Sequence, residues 1–345
     1  MEKLNKIVVS KSDAAVNYDE HALLSASSAY RWLKCTPSAV LCAMHKQPSS
    51  FYAQEGTDAH TLSAYKLRKH FENSSEEEPR DDLQYYSLDM EIYSDHYVNY
   101  VISQFEDMRE RTGTARIMIE NKVFYTDFAP QGFGTSDCAI IGRDEIHVID
   151  LKYGRGVLVK SASNSQLMLY ALGVLQSLDE ETRQNIKGVQ MTIYQPRRGN
   201  ISTDFLSADE LIAWGEKIKP IAEVAYRGEG KLKKGSWCKF CDGKKYCELH
   251  NPRKKNTLDD IAKFNARRIA AGDAELQNSL ATSTPICDFE ERYYGTILQR
   301  IEFVLRNNSR EQLENLLRDL ATRKQTRYVT QLAEIIGIEL GITAR

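Results

Sequence analysis

The chain contains no run of eighteen or more apolar residues, so it offers no stretch long enough to span a bilayer. Its first residues, Met1-Glu2-Lys3-Leu4-Asn5-Lys6, lack the apolar segment of a signal peptide. These two absences predict a cytoplasmic protein with no membrane partner. An excess of one charge is also missing: 46 Lys and Arg stand against 48 Asp and Glu, a net charge of −2. Whole-chain charge therefore gives no footprint for nucleic acid, and such a partner would need a local basic groove. Nor is there a sign of a disulfide framework. The cysteines number seven, an odd count, and an intracellular chain keeps thiols reduced.

What the chain does have is enough apolar residue, 42% of 345, for one large domain or two ordinary ones. Residues 1–22 are polar and read as a lead-in without fixed structure. A short helix follows, capped by Ser25 or Ser27, with Ala29, Trp32 and Leu33 on its apolar face and Cys35-Thr36-Pro37 at its end. In Glu55-Gly56-Thr57-Asp58-Ala59-His60, Thr57 or Asp58 reads as an N-cap, which puts His60 in the first turn of the next helix. Residues 72–82 form an acidic loop, and a long helix is expected over 85–110.

Strands dominate the middle of the chain. Arg116–Tyr125 is one candidate. Asp137–Ile141 and Ile146–Leu151 are two more, joined by the turn Gly142-Arg143-Asp144-Glu145. Side chains two apart on a strand share a face, so Asp150 and Lys152 emerge together and Asp137 can meet them from the neighbouring strand. Two carboxylates and an ammonium on one small surface suit a hard divalent cation beside an activated water. A buried helix over 164–175 carries Gln166 and Tyr170 four apart, hence on one face. A strand over 187–196 follows, Ile201–Leu206 is placed to pair with it, and Ser207-Ala208-Asp209-Glu210 is a capping box opening a helix to about Tyr226.

Cys238, Cys241 and Cys247 then appear with the spacing C-x2-C-x5-C. Three thiols this close point to a metal or cluster. The fourth ligand is open: His250 would complete a zinc site, and Cys35 would give four thiolates suited to zinc or iron–sulfur. From Arg253 onward, residues 258–272, 287–306, 309–322 and 325–340 read as charged helices with no catalytic constellation.

Taken in order, Gly56-Thr57-Asp58-Ala59-His60, Gly134-Thr135-Ser136-Asp137, Asp150-Leu151-Lys152 and Gln166 with Tyr170 resemble the RecB-type branch of the PD-(D/E)XK nucleases. The C-x2-C-x5-C together with Trp32-Leu33-Lys34-Cys35-Thr36-Pro37 looks like its iron–sulfur version, which includes AddB and the CRISPR-associated RecB-like exonucleases. Phage and prophage proteins of this size are similar, and they often accompany single-strand annealing proteins.

The resemblance implies an α/β fold with a restriction-endonuclease-like core, a mixed central sheet flanked by helices, plus added helical segments. It implies a nuclease domain over 23–250 and a helical appendage of unknown role over 251–345. The activity implied is a metal-dependent DNA nuclease, an exonuclease of phage or prophage recombination, with a catalytically silent DNA- or partner-binding module as the alternative. The partners implied are DNA and a single-strand annealing protein. By the same resemblance, Asp137, Asp150, the carbonyl of Leu151 and His60 would hold Mg2+ or Mn2+, with Glu120 as a further contact. Lys152 would orient the attacking water, and Gln166 and Tyr170 would line the site. Cys35, Cys238, Cys241 and Cys247 would bind a 4Fe-4S cluster, with structural Zn2+ as the alternative. His250 would then be a bystander, and Cys42, Cys138 and Cys287 ordinary core residues.

Overall fold

The computed structural model describes residues 22–72 and 74–281. The chain opens with a short 3-10 turn and α1 (Ala29–Trp32), then α2 (Ser38–Met44), α3 (Phe51–Phe71) and α4 (Leu88–Thr112). Strands β1 (Arg116–Phe124), β2 (Phe133–Ile141) and β3 (Glu145–Leu151) follow. After them come α5 (Ser165–Ser177), α6 (Glu180–Asn185), β4 (Gly188–Gln195), β5 (Asn200–Ser207), α7 (Ala208–Tyr226) and α8 (Thr257–Ala281). Among the described residues, 22–72, 74–79 and 83–279 form one compact unit. The unit thus continues past residue 250, because Ile261 of α8 is buried against Val40, Leu41 and Cys247. The helices expected after residue 281, and Cys287, lie outside the described residues.

The five strands make one mixed sheet in the order β1-β2-β3-β4-β5. β1, β2 and β3 pair antiparallel, β3 and β4 pair parallel, and β5 runs antiparallel to β4. The parallel pair needs a long crossover, and α5 and α6 supply it. Both faces of the sheet are covered. Ala139 and Ile141 of β2 pack with α5 on one face, and Cys138 and Ile140 pack towards α3 and α4 on the other. β3 is buried along almost its whole length, which is why it reads as an apolar run rather than an alternation. The central helix α5 is buried continuously from Leu167 to Leu175. Its Asn164 cap accepts from the amides of Gln166 and Leu167 and so fixes where its first turn begins.

α7 starts with the expected capping box between Ser207 and Glu210. α3 does not start where expected. Its cap is Ser50, which accepts from the Ala53 amide. Thr57 instead bonds back to the Ala53 carbonyl, and Asp58 accepts from the Tyr85 amide. Polar side chains that resemble a cap are therefore used inside and across helices, and His60 sits in the middle of α3 rather than in its first turn. Ser25 and Ser27 make no side-chain cap either; the Ser25 carbonyl accepts from the indole of the buried Trp32 at 3.1 Å. α2 and α6 were not expected, being short and without a clear apolar period.

Candidate active site and cysteine centre

Strand β1 carries an irregularity that shapes the site. Ile119 packs towards α3 and α4, whereas Val123 packs towards α5. An unbroken strand would put two residues four apart on one face. The break lies at Glu120, whose φ of 48° is left-handed. The β1–β2 ladder pairs Ile119 with Cys138 and Asn121 with Ser136, and it steps over Glu120 and Asp137 between them. A glutamate in this conformation is strained by on the order of 1 kcal/mol or more. The turn brings its carboxylate to His60 of α3.

His60 Nδ1 lies 3.3 Å from Asp137 Oδ1 and 3.6 Å from Glu120 Oε1. One ligand atom from each of the three residues falls within 4.8 Å of the others, a group able to hold a metal ion. Asp137 Oδ2 is taken by the Leu151 amide at 2.7 Å, which locks the carboxylate to the end of β3. Burial works against a charge on His60, yet Asp137 and Glu120 outweigh it and raise its pKa to about 10. Burial also pushes against ionisation of Asp137, but His60 and Lys152 overcome it and hold its pKa low. Glu120 is raised, chiefly by burial.

The second half of the site hangs from β3 and α5. Asp150, with 2% of its side chain exposed, has Lys152 Nζ 2.7 Å from its Oδ2. Gln166 donates to Asp150 Oδ1 at 2.9 Å and accepts from Lys152 Nζ at 3.1 Å. The same Gln166 amide reaches the Tyr170 hydroxyl at 3.3 Å. Gln166 therefore clamps the Asp150–Lys152 pair, and Tyr170 supports Gln166 without a hydrogen bond to Lys152 itself. Burial holds Asp150 above the ordinary carboxylate range, against the pull of Lys152. Burial disfavours the Lys152 charge in turn, but Asp150 and Asp137 raise its pKa. Gly134 is needed here: a Cβ would stand 2.7 Å from the Tyr170 ring.

The donor set fits a hard divalent cation. It consists of carboxylate oxygens and one imidazole, and protonated His60 balances the carboxylates when no ion is bound. The hollow shared by His60, Glu120 and Asp137 is also lined by Ser63 and Tyr97, whose buried hydroxyls have no hydrogen-bond partner. Asp150 Oδ2 has its ion pair but no aligned hydrogen bond. Of the expected metal residues, His60 and Asp137 fall in the tight group with Glu120, while Asp150 stands with Lys152 and Gln166. Glu120 had only a weak signal in the sequence, since nothing there reveals a left-handed strand residue.

The cysteines gather in another corner. The Lys233 amide donates to Cys35 Sγ at 3.4 Å, and the Lys233 carbonyl accepts from Cys238 Sγ at 3.8 Å. Burial raises the pKa of Cys35, and the Cys247 and Cys238 thiols add to that shift. Cys241 Sγ meets Cys42 Sγ at 3.5 Å. The segment from Cys35 to α2 thus reaches the C-x2-C-x5-C stretch, as Leu41 does against Gly243. Cys42 is buried, as an ordinary core residue would be, and it also stands as a fifth thiol of this corner beside Cys241. His250 Nε2 is buried without a partner. Cys138 is fully buried in the sheet, and burial pushes its thiol up, which keeps it unreactive.

The family described as "Protein of unknown function (DUF2800)" matches residues 21–302. A solved structure titled "Crystal structure of SSO0001" is similar at 12% identity and a TM-score of 0.23 over 63% of this chain and 96% of that one. No helix among the described residues is long and apolar enough to cross a membrane.

Proposed function

We propose that this chain, which belongs to the DUF2800 family, is a metal-dependent DNA nuclease built on a PD-(D/E)XK core, acting as a cytoplasmic exonuclease in phage or prophage recombination or DNA processing. One observation carries the reading: His60, Glu120 and Asp137 gather beside Asp150, Lys152 and Gln166, where the middle of β2 meets the end of β3. His60, Glu120 and Asp137 would hold Mg2+ or Mn2+, with Asp150 and the Leu151 carbonyl as further ligands. Such an ion, when bound, neutralises charge on the scissile phosphate and makes a bound water more acidic.

The remaining work belongs to the chain. Lys152, fixed by Asp150 and Gln166, orients a water and offers its ammonium to charge developing on the phosphate. Gln166 holds the paired Lys152 and Asp150 in register by bonding to both, and Tyr170 keeps Gln166 in place. The alternative, a binding module that does not cut, is disfavoured because the Asp137, Asp150 and Lys152 set is complete and hydrogen-bonded.

The cysteine corner would hold a 4Fe-4S cluster on Cys35, Cys238, Cys241 and Cys247, stapling the start of the domain to its end. Structural Zn2+ with His250 is the second reading, favoured by the unpartnered His250 Nε2. DNA is the substrate, and a single-strand annealing protein is the partner that would use the product. The test is Mn2+-dependent degradation of linear DNA by the wild type, Asp150→Ala and Lys152→Ala. Loss of cutting in both variants is expected; cutting that survives both rejects the assigned site.

A further inference from the structure

A groove with a cavity volume of about 770 Å³ opens beside the metal ligands, lined in part by His60, Leu151 and Lys152. Its ionisable lining is cationic: Lys152, Arg155 and Arg197 face a single carboxylate, Glu55. Arg197 pairs with Glu55 at 2.8 Å and lies over the Tyr153 ring, yet its Nε is buried without a partner. Arg155 has only a loose pair with Asp89 at 3.7 Å. Two aromatic rings from distant parts of the chain stand at the rim, Tyr52 with 76% and Phe240 with 71% exposure.

The glycines of the groove sharpen this picture. Gly56, Gly154 and Gly156 all line it, and a Cβ on any of them would meet nothing within 4 Å. None has a positive φ. Neither packing nor backbone conformation calls for glycine there, and Gly56 stands inside α3, where glycine weakens a helix. The space they leave lies outside the protein's own packing, in a groove that ends at the metal ligands.

We propose that this groove holds one unpaired DNA strand, leading it to the cleavage site. The inference rests on the nuclease reading above. Exposed rings stack on the faces of bases, which are free only when the strand is unpaired. Cations along the wall suit the phosphates, and bare backbone permits close approach of a polymer chain. A duplex hides its base faces and would leave Tyr52 and Phe240 without a role.

The test is binding, kept apart from cutting. Fluorescence anisotropy of the full-length protein with labelled oligo(dT) is measured in EDTA, beside a blunt duplex of equal length. The wild type should bind oligo(dT) more tightly than the duplex. Tyr52→Ala and Phe240→Ala should each weaken oligo(dT) binding about tenfold with little effect on the duplex. Gly56→Ala should melt at or above the wild-type temperature and still lose oligo(dT) affinity, a combination that misfolding cannot produce. Unchanged oligo(dT) affinity in all three variants overturns the groove assignment, as does equal or tighter duplex binding in the wild type. If the groove variants behave as expected but no Mn2+-dependent cutting exists, the nuclease reading fails and the strand-binding site stands.

Discussion

Glu120 reaches His60, at 3.6 Å, only because its own backbone is turned to a φ of 48°. That relationship links strain to a ligand position, and it can be measured. In metal-free protein, Glu120→Gly should be more stable than Glu120→Gln by about 1 kcal/mol, since glycine accepts the left-handed backbone at no strain. Both should lose most of the rise in melting temperature that Mn2+ gives the wild type. Paired thermal melts with and without Mn2+ check this. A full Mn2+ shift in Glu120→Gly removes the residue from the metal group.

Gln166 ties Asp150, Lys152 and Tyr170 together. Gln166→Ala should fold normally and cut roughly 10–100-fold more slowly, the usual cost of removing a group that orients a ligand. Tyr170→Phe should cost less, because it removes only a support for Gln166. Steady-state rates on linear DNA compare the two; a larger defect in Tyr170→Phe would reverse their assigned order.

The hairpin and its partners were legible in the sequence because β2 and β3 have turn residues between apolar stretches, and Asp150 and Lys152 share a face by strand geometry alone. α5 and the Ser207 capping box were legible for similar local reasons. What was not legible depends on contacts between distant segments. Nothing in Glu55–His60 says that Ser50 caps α3, because Asp58 looks like a cap but serves Tyr85. The place of Glu120 depends on a broken alternation, and that of Cys42 on the packing of α2 against the C-terminal cysteines.

Buried His147 sits outside the site, with Nε2 2.8 Å from the Thr192 hydroxyl. Burial, with help from Arg111, lowers its pKa to about 3. The unfolded value is near 6.5, so between these two values the unfolded chain binds more protons than the folded one. Stability therefore rises with pH across that window, and acidification from about pH 6.5 towards 3 destabilises the fold progressively through this group. His147→Gln should flatten that part of the denaturation profile. Chemical denaturation at several pH values would expose an unchanged slope, which would place the acid sensitivity elsewhere.

Cys35 and Cys42 both reach the C-terminal cysteines, but only Cys35 is assigned as a ligand. Anaerobically purified protein should be brown, Cys35→Ser should lose the visible absorbance, and Cys42→Ala should keep it. A colourless wild type with one equivalent of zinc would favour the His250 reading. Bleaching by Cys42→Ala instead of Cys35→Ser would exchange their roles.

Lys152 offers the most direct test of the central claim, since it touches Asp150 and Gln166 and is not among the assigned metal ligands. The measurement is a time course on end-labelled linear and closed circular DNA with Mn2+, run on wild type and Lys152→Ala alongside Mn2+ thermal shifts. The wild type should degrade the linear DNA and spare the circle. Lys152→Ala should retain the Mn2+ shift and lose about 10²–10³-fold in rate. Degradation by Lys152→Ala at the wild-type rate would contradict the account.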